Sequence, residues 1–229
     1  MRLAAFLALL LTSLAASADE GKVYSPEPFD RIILDGAVEL RLKQGDREEV
    51  TVLGEGDAQD VEVRVSRGRL VIHDSGSWRF WNKARPKVNV QVRELRQVII
   101  SGASDVYAGG PMKSEQLELH MSGSGLVRFD SLEATELRFV ISGAGDGQLA
   151  GQVGDMRLHI SGKGKLQADQ LRVTRASVQI SGVGNAQLWV TESLRIGISG
   201  VGTIDYWGEP KVSRQTSGLG TINARGDKR

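Results

Sequence analysis

The chain has 229 residues, with 29 Lys and Arg against 28 Asp and Glu, and no cysteine. Disulfides, thiol chemistry and cysteine-ligated metals are thereby excluded, and a nearly neutral balance provides no general attraction to nucleic acid. The length suits one elongated repeat domain, or a small domain leading into one.

The chain opens "MRLAAFLALLLTSLAASADE", with one basic residue, an apolar run from Leu3 to Leu14 and the small-residue ending Ala16-Ser17-Ala18. This pattern predicts a secretory signal over residues 1–18. The run is shorter than the ~20 residues needed to cross a bilayer. The mature chain is expected to be exported without a transmembrane segment, most simply to the periplasm, with secretion or surface attachment as the other destinations.

Residues 25–92 are expected to form a β region that starts and caps a longer β structure. "FDRIILDGAVELRLKQGD" alternates apolar residues at Ile32, Leu34, Val38, Leu40 and Leu42, the period-two pattern of half-buried strands. Gly36 within it reads as a degenerate first corner followed by an insertion. "VEVRVSRGRLVIHD" sets Val61, Val63 and Val65 against Leu70 and Ile72 across Ser66-Arg67-Gly68, which predicts a hairpin.

Residues 74–88, "DSGSWRFWNKARPKV", hold half of the four tryptophans in a segment of loop composition. Trp78, Arg79, Phe80, Trp81, Lys83 and Arg85 are the candidate partner-binding residues, because aromatic and cationic side chains stack on sugars, headgroups or proteins. The competing reading is a flap that folds its aromatics over the end of the core.

Residues 93–224 carry a repeat. Ser-Gly phrases recur with serines at 101, 122, 142, 161, 181, 199 and 217, in steps of 21, 20, 19, 20, 18 and 18 residues. A period near twenty belongs to a stacked solenoid, whose units need neighbours to bury their apolar faces. One residue before each serine stand Ile100, Met121, Ile141, Ile160, Ile180, Ile198 and Thr216; three before stand Val98, Leu119, Phe139, Leu158, Val178, Ile196 and Arg214. The column between them is mostly polar. A second alternating segment follows each corner, with no helical stripe.

The expected fold is all-β: a single-stranded parallel β-helix, right-handed, of about seven coils, with an N-terminal strand and hairpin cap and a polar tail at 225–229. Glycine follows every serine, and stands three after it in six of the seven units, Ser104 being the exception. A corner needs either positive φ or close approach of neighbouring main chains, and glycine permits both. The serines are expected to form a ladder whose hydroxyls bridge to adjacent coils.

Chemistry is sparse. His120 and His159 share a column but lie two coils apart with Val140 between them, too far for one metal ion. Asp105 and Asp146 also share a column, yet Leu126 separates them and no base joins them, so a glycosidase pair is not expected. The glycine phrases lack the lysine and helix of a phosphate loop. Arg225-Gly226-Asp227 is a three-residue match to a receptor-binding triplet, read as a frayed polar terminus. No cofactor and no metal is expected.

The opening strands, "GRLVIHD", "KVNVQVRELRQVIISGASDV" and the serial "ISGxG" units together resemble the exported bacterial family called putative auto-transporter adhesin, head GIN domain. Arg93 and Glu94 stand where members often carry an apolar-Pro pair. The resemblance implies a β-helix without catalytic residues and a role in adhesion. The function expected is a non-enzymatic binding or structural module of the cell envelope, with an envelope protein or polysaccharide as partner and no nucleic acid. The rivals are a carbohydrate-active enzyme and a self-assembling scaffold of stacked solenoid ends, a homo-oligomer.

Overall fold

A computed structural model describes residues 22–53, 61–74 and 85–228. The expected signal and Trp78, Arg79, Phe80, Trp81 and Lys83 lie outside them. Among the described residues sixteen strands join in one sheet, and none is helical.

The repeats form β9 (Asp105–Met121), β10 (Ser124–Ile141), β11 (Ala144–Ile160), β12 (Lys163–Ile180) and β13 (Val183–Ile198), followed by β14 (Val201–Trp207), β15 (Lys211–Thr216) and β16 (Leu219–Ala224). Each pairs in parallel with the rung before it in near-constant register; Gly125, Gly145, Gly164, Gly184, Gly202 and Gly220 stand in one line. The chain is therefore a parallel β-solenoid. Its repeat turns number about six rather than seven, because the seven Ser-Gly corners enclose six intervals: β9 to β13, and β14 with β15.

Each long strand bends midway, where the register shifts, as between Gln148 and Ala150 in β11. The cross-section thus has two walls: one runs into the Ser-Gly corner and the other leaves it. Their inner faces meet. A Cβ on Gly147, which leaves the corner, would lie 2.5 Å from Cε1 of Phe139, on the wall of the preceding strand that runs into it. The columns one and three residues before the serine are buried in the first six units, and the outward residues between them are mostly half-buried or exposed. This is what period-two alternation requires of a wall with one wet face.

The N-terminal strands do not stack in chain order. They are β1 (Lys22–Tyr24), β2 (Arg31–Asp35), β3 (Glu39–Gln44), β4 (Glu49–Leu53), β5 (Val61–Ser66), β6 (Arg69–Asp74), β7 (Lys87–Val92) and β8 (Gln97–Ile100). β2 lies in parallel between β6 and β8, and β3 between β7 and β9. The rung written first is thus clamped between two written later. Antiparallel β4, β5 and β1 complete that end, where an open core would expose strand edges. The β5–β6 hairpin turns through Arg67 at φ 52° and Gly68 at φ 72°, the two positive angles of a type I′ turn.

The bend at residues 93–96 is held by Arg93 Nε donating to Glu48 Oε1 at 2.8 Å and by Arg96 N donating to Asp30 O at 2.8 Å, with Leu95 fully buried. At the opposite end Thr216 and Arg214 replace the apolar columns, and Arg214 Nη2 donates to the Tyr206 hydroxyl at 3.3 Å. Charge on an edge strand is a device that discourages further pairing.

Candidate functional site

The corner is the most regular feature of the molecule. From Ser122 onward each serine amide donates to the carbonyl of the residue before the previous serine, for example Ser181 N to Ile160 O at 2.8 Å, and the next glycine amide shares that oxygen at 3.2 Å. A Cβ on Gly182 would lie 2.1 Å from the carbonyl oxygen of Gly162 one rung away. Close approach, not positive φ, is therefore what demands this glycine column. Gly36, itself at φ 116°, lies in line with it, since a Cβ on Gly102 would lie 2.0 Å from its oxygen; it is a corner ahead of the seven Ser-Gly ones, written without the serine.

The serine ladder bridges coils only at its start: Ser101 Oγ donates to Leu34 O at 3.1 Å and Ser122 Oγ to Ile100 O at 3.2 Å. The hydroxyls from Ser142 onward sit on exposed residues along one edge. Ser104 explains the gap in the glycine pattern. It is fully buried, its Oγ accepts from Val38 N and donates to Gly36 O, both at 3.0 Å. The first repeat rests on an irregular rung, and the hydroxyl supplies the bonds that rung lacks.

The two aspartates of the shared column have structural partners. Asp105 Oδ1 accepts from Leu126 N at 2.8 Å, and its other oxygen takes Arg85 Nη1 at 2.6 Å. Asp146 Oδ1 accepts from Lys165 N at 3.1 Å. Both carboxylates bind the amide of the residue facing them in the next rung. Arg85 is the one candidate binding residue among those described, and its guanidinium is committed to Asp105. Asp74, against Gly36, and Arg85, on Asp105, both lie beside the corner. Burial, with Asp105 and Glu39 adding negative charge nearby, raises the Tyr107 phenol above its usual pKa. His120 and His159 both pair in register with Val140, one rung away on either side. Among the described residues no group of three or more His, Asp and Glu is placed to hold a metal ion.

Concave surfaces among the described residues include two grooves, one on each wall. A groove of about 510 Å³ crosses the wall that runs into the corner and is lined by Asp30, Glu118, Glu136, Arg138, Asp155 and Arg157, among others. Asp155 in its lining pairs with Arg175 at 2.6 Å; that hydrogen bond holds the Asp155 carboxyl below the ordinary range against the opposing effect of burial. A second, shallower groove of about 380 Å³ lies on the other wall, between Ala144, Lys163 and Val183 on one side and Asp146, Lys165 and Asn185 on the other.

That second wall carries ordered outward ladders. Gln148, Gln167, Gln187, Asp205 and Asn223 face one another rung by rung, as do Asn185, Thr203 and Thr221. Gln148 Nε2 donates to Gln167 Oε1 at 3.3 Å, and Asn223 Nδ2 to Asp205 Oδ1 at 2.9 Å. Beside them runs an apolar line, Val183, Val201 and Leu219, the last 77% exposed.

Fold and surface together define a β-solenoid that presents ordered side-chain ladders on flat walls. The chain belongs to the family described as putative auto-transporter adhesin, head GIN domain, whose pattern it matches over residues 28–210. Among solved structures it is similar to a putative adhesin from Bacteroides fragilis, with TM-score 0.82 and 25% identity over 90% of this chain and 96% of that one. It also shares its fold with a putative lipid binding protein from Parabacteroides distasonis, TM-score 0.69 and 21% identity over 90% and 96% of the chains. A putative adhesin from Parabacteroides merdae gives TM-score 0.68 and 23% identity over 90% and 95%. No functionally curated protein matches the sequence. No helix among the described residues is long and apolar enough to cross a membrane.

Proposed function

We propose that the protein is an exported, non-enzymatic adhesion head of the bacterial envelope, resident in the periplasm, that grips an extended partner along the wall leaving the corner. The observation that carries this reading is the register of Gln167, Gln187, Asp205 and Asn223 beside Asn185, Thr203 and Thr221. Hydrogen-bonding groups recur every ~4.8 Å along a flat face, so a polymer of repeating units can make many weak contacts in step. A polysaccharide of the envelope has that form. The aromatic and cationic segment around Trp78 and Trp81 would supply a second contact with the same partner. The structural duties of Asp105 and Asp146 support a binding role over hydrolysis.

The test is calorimetric titration of purified mature protein with isolated envelope polysaccharides. Replacing Gln187 and Thr203 together by arginine should weaken binding at least about tenfold, several contacts being lost at once, with an unchanged melting temperature. Equal binding by that variant overturns the wall assignment. Release of new reducing ends from the glycan would overturn the non-enzymatic one.

A further inference from the structure

Trp189 and Trp207 are direct partners in β13 and β14, so their indoles stand side by side on the outer wall. One rung below, β12 carries three extra residues between Ala168 and Arg172, while Leu188 and Trp189 opposite them are consecutive. Such a bulge takes main-chain groups out of the ladder and re-aims side chains. Asp169, within this bulge, shares one cation with the two indoles through its carbonyl and its carboxylate. The cation is an ammonium group: Lys228 Nζ is 5.8 Å from the Trp189 ring centre, 5.4 Å from that of Trp207 and 3.0 Å from Asp169 Oδ2, and it also donates to Asp169 O. Gln170 Nε2 donates to the same carboxylate oxygen at 3.1 Å.

We propose that Asp169, Trp189 and Trp207 form a receptor for primary alkylammonium groups, which Lys228 of the same chain occupies as an exchangeable internal ligand. Aromatic faces attract a cation within about 6 Å. The two oxygens select an ammonium that still carries N–H donors. The segment bringing Lys228 is pinned only as far as Gly226, through Arg225 N to Tyr206 O at 2.8 Å, Gly208 N to Gly226 O at 2.9 Å and Arg225 to Asp205. Beyond that point Lys228 reaches the cage on a two-residue tether, and Asp227 Oδ1 accepts from Lys228 N at 2.8 Å within it. A tethered ligand competes at an effective concentration in roughly the millimolar range, so an outside amine binds only when this side chain lifts or is removed.

The experiment uses the mature chain with Trp78→Phe and Trp81→Phe, which leaves Trp189 and Trp207 as the only tryptophans. n-Butylammonium and tetramethylammonium are titrated against indole fluorescence at matched ionic strength. With Lys228→Ala added, n-butylammonium should give a saturable change at least about tenfold tighter than with Lys228 present, the tether no longer competing. It should also bind more tightly than tetramethylammonium. Asp169→Asn added to Lys228→Ala should remove the response while the melting temperature holds. Nα-acetyl-lysine methylamide binding more tightly than phosphoethanolamine assigns the amine to a protein lysine, and the reverse order to an aminolipid; either order supports the receptor. No saturable response after Lys228→Ala, or one that survives Asp169→Asn or favours tetramethylammonium, overturns it.

Discussion

Phe139 and Gly147 are volume partners across the core of the solenoid. The ring fills the space a side chain at 147 would need, since a Cβ there would lie 2.5 Å from Phe139 Cε1 and 2.8 Å from Leu166 Cδ1. Five residues after the serine, other units carry Val106, Val127, Leu166, Ala186, Ile204 and Ile222; three before the serine, the other core units carry Val98, Leu119, Leu158, Val178 and Ile196, all smaller than phenylalanine. Gly147→Val should cost about 1–3 kcal/mol by overpacking, and Phe139→Leu should restore part of the loss. Chemical denaturation of the two single variants and the double variant measures this. Strictly additive losses would show that the two positions are not partners.

The corner glycines should divide sharply by position. Gly182→Ala drives a methyl against the Gly162 carbonyl oxygen at 2.1 Å, and backbone cannot swing aside as a side chain can, so a loss of about 1–3 kcal/mol or more is expected. Gly110→Ala meets nothing within 4 Å and should stay within about 0.5 kcal/mol of the parent. Urea midpoints compare the two; similar values would contradict the close-approach account.

Ser104→Gly restores the repeat phrase and should nonetheless destabilise. It removes the partner of the Val38 amide and the Gly36 carbonyl in a fully buried place, a loss of about 1–3 kcal/mol. Ser161→Gly on the exposed ladder is the control and should cost far less. A thermal scan in which Ser104→Gly melts no lower than the parent would refute the role given to this hydroxyl.

Acid should weaken the link between β11 and β12. Because the Asp155 carboxyl is held low by Arg175, its contribution is complete above the unfolded pKa of about 3.9 and fades as pH falls through the lower folded value. The pair is exposed, at 54% and 37% for the two side chains, so the effect is small and screened by salt. The stability difference between the parent and Asp155→Asn should be present at pH 6, shrink towards pH 2, and narrow in high salt at pH 6. A difference that grows on acidification would reverse the assigned sign.

Much of this architecture is legible in the chain because a stacked repeat writes its contacts along the sequence. Aligning the units on the serine brings Ile141, Ile160 and Ile180 into one column, and they are stacked in the core. The same alignment places His120 and His159 two rungs apart. The tail reads as frayed in the sequence, but Arg225 binds Asp205 at 2.9 Å and Lys228 enters the indole cage. Nothing local announces such a contact, since Asp169 and Lys228 are 59 residues apart.

Sequence alone determined the period, the inward and outward columns and the place of the corners, because each depends on alternation and spacing along the chain. Tertiary structure decided that β2 is clamped between β6 and β8, that Ser104 completes an irregular rung, and that Asp169 in its bulge shares one cation with Trp189 and Trp207. The physical reason is that strand alternation states which face a residue occupies but not which strand lies beside it. That choice belongs to hydrogen bonds and packing between residues far apart in the chain.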